Sequence, residues 1–391
     1  MKKRIALDQI KPGTRFSDDV FLDEKNLLVP SRIAVKQKDI DMLKRWGIVY
    51  VTTEGEILDE AAGSATLAQT KASGAKGTAS PIGALPRSFT GSRELYARYM
   101  SLVDSLARTF EKIRKNESIE AKTVDQIAQG VLALVRDERD SAIAAILGSE
   151  VTEAELARAG VNTAVLSVVI GQNLKLPPYK LAYLATGALL HDTGMLRIPD
   201  SIIEKKGGLT EEDLQKIRAH PLLSYRVITK ELMYSDEVGI VGLQHHERWD
   251  AEGYPRRTGG GDIDALARIV SVADAFEAMV SAKPYRNSMI GYVAMKNLLS
   301  DNSRRFDPEI LKAFIKSMGI YPLGSTVLLN NSAIARVIET HPEAPLRPKL
   351  RVIVDEFGNR FEGDHGDLLD LVKEKSVFIA RALDPKELAS A

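Results

Sequence analysis

The chain has 391 residues and contains no cysteine. This absence excludes disulfide frameworks, thiolate zinc sites and cysteine nucleophiles. Lysine and arginine together number 53, and so do aspartate and glutamate, which makes the formal net charge zero at pH 7. A neutral chain gives no support for nucleic-acid binding through general basicity, so we expect no nucleic-acid partner. A local basic pocket for a small phosphate ligand is compatible with this balance.

Long apolar runs are also missing. No uncharged apolar stretch approaches the roughly 20 residues that a membrane helix needs. Asp8 and Lys11 interrupt the beginning of the chain, which therefore does not resemble a signal peptide. Apolar residues make up 44% and charged residues 27% of the chain, as in an ordinary folded protein. We expect a cytoplasmic protein with no membrane partner.

Apolar periodicity and turn signals divide the chain into five regions. The predicted fold class is mainly α: an all-helical domain, a small N-terminal α+β module and a C-terminal β-containing appendage. A segment rich in Ala, Gly, Ser and Thr is predicted to be a flexible linker. The predicted regions are the module at 1–60, the linker at 61–88, a helical connector at 89–148, the helical domain at 149–318 and the appendage at 319–391.

The helical connector has two interpretations. Apolar residues such as Leu95, Tyr99 and Leu106 recur at helical spacing, and a second helix follows Asn116. This hairpin could serve as a dimerisation stalk or signal connector, or it could pack on the domain that follows.

Elements are also predicted in the two smaller regions. The N-terminal module is predicted to contain a helix at Lys38–Trp46, followed by a strand at Ile48–Val51. The C-terminal appendage is predicted to contain strands at Thr326–Leu329, Ala333–Ile338 and Leu350–Val354.

Histidine is scarce, and its distribution is uneven. Only six histidines occur, and four of them fall between residues 191 and 246. Neutral imidazole and carboxylate are preferred ligands of Fe, Mn and Zn. Such clustering favours a metal site over isolated structural histidines. The candidate ligands are His191, Asp192, His220, His245, His246 and Asp274.

Motifs around these residues resemble the HD-GYP family across about residues 152–318, in both order and spacing. Residues 1–55 resemble, more weakly, a small module found ahead of such domains. The motifs are His191-Asp192-Thr193-Gly194, Ile198-Pro199-Asp200, Leu209-Thr210-Glu211-Glu212, His220-Pro221, His245-His246-Glu247-Arg248, Gly253-Tyr254-Pro255, Val272-Ala273-Asp274, Lys283-Pro284-Tyr285-Arg286 and Arg305-Phe306-Asp307-Pro308.

The resemblance implies an all-helical, metal-dependent phosphodiesterase that opens cyclic di-GMP to pGpG and often on to GMP. It implies two or three divalent ions, usually iron or manganese, held by the six candidate ligands and by Glu155. Asp192 would bridge two ions, and His191 and Asp192 would be catalytic. Lys283, Tyr285 and Arg286 would contact the cyclic dinucleotide, and Gly253, Tyr254 and Pro255 would form a surface for a signalling partner.

The sequence departs from the family pattern at two important positions. The family's first metal-binding histidine falls on Ala159, four residues after Glu155, and its lysine after the HD pair falls on Met195. One imidazole and one positive charge are therefore absent. Two hypotheses follow: an active phosphodiesterase, or a catalytically degenerate domain that acts as a cyclic di-GMP sensor or interaction module.

The roles of three further residues stay open at this point. Glu247 and Arg248 could orient the histidine pair, or they could form a surface ion pair. Tyr285 could stack on a guanine base or belong to the core.

Overall fold

The computed structural model describes residues 3–11, 13–18, 20–21, 27–29, 35, 40, 50–58, 93–147, 154–205, 207–281, 291–300, 304–361 and 365–383. The chain divides into two compact units, Met1–Ala79 and Ser80–Ala391. This division falls within the segment 61–88, which lies outside the described residues. None of the helices in the described ranges combines the length and apolar character needed to span a bilayer.

The first unit contains short antiparallel strands around a small apolar core that includes Phe16, Val20 and Val51. Four strands form a sheet in the order β1-β5-β3-β4, and β2 pairs with β6. The predicted helix Lys38–Trp46 lies outside the described residues, apart from Ile40. The strands are β1 Lys3–Ala6, β2 Arg15–Phe16, β3 Val20–Phe21, β4 Leu27–Val29, β5 Tyr50–Thr53 and β6 Ile57–Leu58.

The second unit is predominantly helical, which confirms the predicted fold class. Pro178, Pro308 and the capping box at Thr210 mark helix beginnings, since each suits the first turn of a helix. The helices are α1 Arg93–Arg114, α2 Ala121–Leu147, α3 Glu155–Asn173, α4 Pro178–Leu190, α5 Asp200–Ile203, α6 Glu211–Arg218, α7 His220–Arg226, α8 Asp236–Gln244, α9 Ala265–Val280, α10 Gly291–Ser300 and α11 Pro308–Met318.

One apolar core spans most of these helices. Leu106 of α1, Leu134 of α2, Val161 of α3 and Phe276 of α9 are all fully buried in it. The apolar faces of α1 and α2 are thus covered by the domain that follows them, as the second interpretation of the connector expects. The central helix α3 is surrounded on nearly all sides, because most of its residues are buried.

A buried polar chain connects three of these helices. The Tyr99 hydroxyl on α1 donates to Asn162 Oδ1 on α3 at 2.7 Å, and Asn162 Nδ2 donates to Glu277 Oε1 on α9 at 3.1 Å. The Ser281 hydroxyl also donates to Glu277 Oε1, at 2.5 Å. Since a buried polar group is costly unless it is hydrogen-bonded, this network fixes the relative positions of α1, α3 and α9.

The C-terminal part forms a five-stranded antiparallel sheet in the order β10-β9-β8-β7-β11, which confirms the predicted β appendage. Tyr292 of α10 stacks on Tyr321, with ring centroids 4.9 Å apart and planes 7° from parallel. This contact connects the helical domain to the segment that leads into the sheet. The strands are β7 Thr326–Leu329, β8 Ile334–Glu339, β9 Lys349–Val354, β10 Leu368–Asp370 and β11 Ile379–Leu383.

Gly194 allows two parts of the helical domain to approach closely. It lies in the 3₁₀ turn Thr193–Arg197 after α4, and its N–H donates to Ser224 Oγ of α7 at 2.8 Å. A Cβ at this position would lie 2.1 Å from the carbonyl oxygen of His220. Only glycine therefore permits this contact between the turn and the helix α7.

We predict that Gly194→Ala destabilises the protein by about 1–3 kcal/mol or more, because the Cβ meets rigid backbone atoms. Gly208→Ala is the matched control, since nothing lies within 4 Å of its Cβ position. Urea-induced unfolding, followed by circular dichroism, measures the difference. Equal unfolding midpoints for the two variants would contradict the packing described for this turn.

Candidate metal centre

The candidate ligands lie mostly at helix ends, where the chain can direct side chains into a common space. His191 is the residue directly after α4, Asp192 follows it, and His220 begins α7. His245 is the residue directly after α8 and is followed by His246, whereas Asp274 lies within α9. The structure thus brings together six residues that are widely separated in the sequence.

Three of the histidines are held in the same way. Each ring donates its Nδ1–H to the carbonyl oxygen three residues earlier, at 2.7–2.9 Å. A carbonyl can only accept, so the proton of each neutral ring is on Nδ1 and the lone pair is on Nε2. The donor and acceptor pairs are His191 with Ala188, His220 with Ile217 and His245 with Gly242.

The free Nε2 atoms converge on the carboxylate of Asp192. Asp192 Oδ1 lies 3.1 Å from His220 Nε2 and 3.4 Å from His245 Nε2. The two Nε2 atoms are themselves 3.3 Å apart, and in neutral rings no hydrogen lies between them. Donor atoms of Asp192, His220, His245 and His246 all lie within 4.8 Å of one another. A cation between these atoms would relieve the repulsion of their lone pairs.

The second carboxylate oxygen of Asp192 faces a different pair. His191 Nε2 lies 3.6 Å from Asp192 Oδ2 and 3.6 Å from Asp274 Oδ1. Within the described part of the chain, His191 Nε2 and Asp192 Oδ1 are buried and have no hydrogen-bond partner. Buried polar atoms normally have one. Oxygen and imidazole donors without sulfur suit Fe and Mn as well as Zn, so the residues present fit a divalent metal centre.

Burial and neighbouring charges raise the pKa of one residue of the cluster and lower the pKa values of others. Burial lowers the pKa of His191, but the carboxylates of Asp192 and Asp274 outweigh it and raise that pKa to about 9. Burial lowers the pKa values of His245 and His246 below the ordinary value. Burial alone would raise the pKa of Asp192, yet the positive charge of His191 holds it well below the usual range. His245 and His246 are therefore neutral at pH 7, and each ring has a nitrogen lone pair that can bind a metal.

Four further predicted site residues are not part of the cluster as it is described. Glu155 begins α3 and is not among the residues whose donor atoms converge, as far as the described ranges extend. Gly160, next to Ala159, packs against the end of α4, where its Cβ position would lie 3.0 Å from the carbonyl oxygen of Leu189. The predicted substrate contacts Lys283, Tyr285 and Arg286 lie outside the described residues.

Tyr254 is a site residue that sequence reasoning missed, because it assigned the Gly253-Tyr254-Pro255 loop only to a partner surface. The Tyr254 ring stacks on His246, with centroids 4.7 Å apart, and the Tyr254 N–H donates to the His246 carbonyl at 3.2 Å. Gly253 is needed for this fold-back, since its Cβ would lie 2.5 Å from Arg248 N. That glycine, so soon after the histidine pair, was the available signal.

Glu247 and Arg248 contact different partners. The buried Glu247 carboxylate accepts from the backbone N–H of Arg256 at 2.7 Å and of Thr258 at 3.0 Å. Arg248 donates twice to the carboxylate of Asp250, at 2.9 and 2.7 Å. Glu247 therefore holds the loop after Pro255 in place.

A cleft of about 560 Å³ lies beside the cluster. Its volume is within the range of small-ligand sites. Several arginines contribute to its wall, and such a local basic pocket is compatible with the neutral net charge of the chain. The lining residues are Arg218, His245, His246, Glu247, Arg248, Glu252, Gly253, Tyr254, Pro255, Arg257, Ser271 and Arg305.

Comparison with known families gives two matches along the chain. The HD domain family matches residues 106–310. The family described as a KOW domain associated with HD domain matches residues 326–391. The first match contains the whole metal cluster, and the second begins at the first strand of the C-terminal sheet.

Curated relatives and solved structures are similar to this chain. A cyclic di-GMP phosphodiesterase, PdeB, from Borreliella burgdorferi is 34% identical over 50% of this chain and 51% of its own length. Another, PA4108, from Pseudomonas aeruginosa is 29% identical over 70% of this chain and 66% of its own length. The chain thus spans about half to two thirds of these relatives. Bd1817, described as an HDG"Y"P protein from Bdellovibrio bacteriovorus, is 16% identical with a TM-score of 0.47, covering 80% of this chain and 98% of its own.

We predict that Asp192→Ala lowers metal affinity by at least about 100-fold, because even residues that only orient metal ligands contribute 10–100-fold. Glu155→Ala should retain most of the metal. Elemental analysis of protein purified without air, together with circular dichroism to verify folding, compares the variants. An Asp192→Ala protein with as much metal as the parent would show that the cluster is not the binding site.

Metal affinity should also rise with pH. The pKa of His191 is about 9, so at neutral pH its ring carries a proton that must leave before Nε2 can bind a metal. Affinity should then increase about tenfold per unit between about pH 6 and pH 8. Titration of Mn²⁺ against a competing chelator measures this slope. A flat profile in the parent protein would contradict the predicted protonation of His191.

Proposed function

The chain belongs to the HD domain family, and from this premise we propose that it is a metal-dependent phosphodiesterase in bacterial second-messenger signalling. Its proposed substrate is cyclic di-GMP, hydrolysed to pGpG, to GMP or to both. The names of curated relatives support this substrate, since several are cyclic di-GMP phosphodiesterases. As these relatives are only partly covered by the chain, the activity is proposed for the matched region.

The observation that carries the proposal is the convergence of imidazole nitrogen and carboxylate oxygen atoms on both sides of Asp192. On one side are His220 and His245 Nε2, and on the other are His191 Nε2 and Asp274. A carboxylate with one oxygen toward each side is suited to bridge two cations. We propose two or three ions of iron or manganese, with His246 as a further ligand. When bound, such ions neutralise a phosphodiester and activate water for hydrolysis.

The residues of the chain have distinct proposed roles. His191 and Asp192 are catalytic, because they lie at the junction between the two sides of the cluster. Tyr254 covers His246 by stacking on it and limits the access of water from that side. The Glu247 carboxylate holds the loop at Arg256 and Thr258, and so preserves the shape of the cleft. Additional proposed substrate contacts are Lys283, Tyr285 and Arg286.

A second candidate function is favoured by two departures in the sequence. Ala159 offers no imidazole and Met195 offers no positive charge, so the domain could bind cyclic di-GMP without hydrolysing it. It would then act as a sensor or as a protein-interaction module. The retained cluster favours the enzyme, since a domain without catalytic function has no need of all six remaining ligands.

We also propose partner contacts, a location and a division of the chain into regions. A homodimer through α1 and α2 would use their outer faces, because their apolar faces are buried in the domain. A signalling partner could contact Pro255, which is exposed beside the buried Gly253.

We propose a cytoplasmic location. We also propose the five regions predicted from the sequence, which are 1–60, 61–88, 89–148, 149–318 and 319–391.

Metal content and turnover, measured on the same preparation, test the function. Protein purified without air should contain Fe or Mn and release pGpG or GMP from cyclic di-GMP, as seen by chromatography. His245→Ala, the control, should lose both metal and release. Binding without any release would favour the sensor. A metal-loaded protein that neither binds nor hydrolyses cyclic di-GMP would contradict both functions.

We further predict that Ala159→His increases metal content and turnover. The new imidazole would lie four residues after Glu155 on α3, and its cost in helix propensity is under about 1 kcal/mol. Combining it with Met195→Lys should increase turnover by more than the product of the two single gains, because both groups act at one site. Ala159→Gln is the control for side-chain size. No gain in the folded double variant would contradict this prediction.

A further inference from the structure

Among the described residues, four arginines line the cleft beside the metal cluster, and they differ in their existing contacts. Arg248 is bound to Asp250 through two hydrogen bonds. Arg257, in the loop after Pro255, is exposed. Arg218 and Arg305 come from opposite parts of the domain sequence, from the end of α6 and from the turn before α11.

The backbone around Arg305 is fixed on both sides. Its carbonyl oxygen accepts from the N–H of Trp249 at 2.9 Å, which connects it to the segment after the histidine pair. Two residues later, Asp307 caps α11 by accepting from Glu309 N at 2.9 Å, and it pairs with Arg268 at 2.6 Å. The half-buried Arg305 side chain forms no ion pair with a carboxylate within the described ranges. These hydrogen bonds hold the backbone of the turn in place, so that the guanidinium of Arg305 lines the cleft.

Arg218 is the last residue of α6 and lies two residues before His220. Its ion pair with Glu211 is long, at 3.8 Å, and both side chains are more than half exposed. Exposed pairs of this kind contribute little, so Glu211 competes only weakly for the guanidinium. Arg218 is consequently available to an anionic ligand.

Both arginines line the cleft that His245, His246 and Tyr254 also line. Tyr254 stacks on His246 with ring centroids 4.7 Å apart. The two cations therefore share a cleft with two candidate metal ligands without belonging to the cluster. Arg218 and Arg305 place positive charge in this cleft, in addition to the proposed substrate contacts Lys283 and Arg286.

Resting on the proposed function, we propose that Arg218 and Arg305 bind the second phosphate of a cyclic dinucleotide, the one that is not cleaved. The metal cluster serves only one phosphate, and a cyclic dinucleotide carries a second full negative charge. The planar guanidinium groups suit a phosphate, because they can form two charge-assisted hydrogen bonds each. Arg218 and Arg305 thereby favour cyclic dinucleotides over ligands with a single phosphate.

A comparison of two ligands tests this assignment. Cyclic di-GMP has two phosphates and linear GpG has one, so the variants Arg218→Gln and Arg305→Gln should affect only the first ligand. We expect each to weaken cyclic di-GMP binding by roughly 10- to 100-fold, as for a lost charge-assisted bond, and GpG binding by less than about threefold. Arg218→Lys and Arg305→Lys should retain part of the affinity. Equilibrium dialysis of metal-loaded protein gives Kd, and kcat/KM replaces it wherever the ligand is cleaved.

Arg226→Gln is the matched control, because Arg226 is exposed at the end of α7 and does not line the cleft. Metal content of each variant verifies that the cluster is intact. If the parent binds cyclic di-GMP and the two glutamine variants bind it equally well, or lose GpG to the same degree, the assignment is overturned while the proposed function stands. If the parent binds no cyclic dinucleotide, the proposed function fails and this assignment with it.

Discussion

The candidate site depends on one repeated hydrogen bond. In three histidines the Nδ1–H donates to the carbonyl oxygen three residues earlier. This bond sets the ring orientation and keeps one proton on Nδ1, so that in each neutral ring the Nε2 lone pair is directed into the cluster. A helix end provides the carbonyl that is needed, because its last carbonyl groups have no partner within the helix. The carbonyl groups come from Ala188 of α4, Ile217 of α6 and Gly242 of α8, so the positions of these helix ends determine the geometry of the candidate ligands.

The packing of the domain maintains those helix ends in register. Gly194 lets the turn after α4 contact the backbone at His220, and the Tyr99–Asn162–Glu277 network fixes α3 against α9, which carries Asp274. The Gly194 contact and the hydrogen-bond network both lie outside the cluster, yet a shift in either would move a candidate ligand. Because the cluster contains two carboxylates and four imidazoles close together, its polar atoms are stable there only when they are compensated by a cation.

Sequence reasoning predicted the parts of the structure that have a local signal. The scarcity and clustering of histidine pointed to the ligands, and periodicity predicted the helical domain and the C-terminal strands. Tyr254 was missed because its stacking on His246 depends on a reverse turn that spacing alone does not reveal. The contacts of Glu247 with the following loop were not predicted, because its partners are backbone N–H groups, which every residue has. Arg218 and Arg305 lie far apart in the sequence and look like ordinary solvated charges until folding brings both to one cleft.

The central claim is that the free Nε2 atoms and the Asp192 carboxylate hold a metal ion. Anomalous diffraction at the manganese edge, from crystals of Mn²⁺-loaded protein, tests it most directly. We expect a strong peak about 2.0–2.3 Å from His220 Nε2, His245 Nε2 and Asp192 Oδ1, as for ordinary imidazole and carboxylate ligation. Crystals that contain manganese only elsewhere, or none after loading at a pH where His191 is neutral, would contradict it.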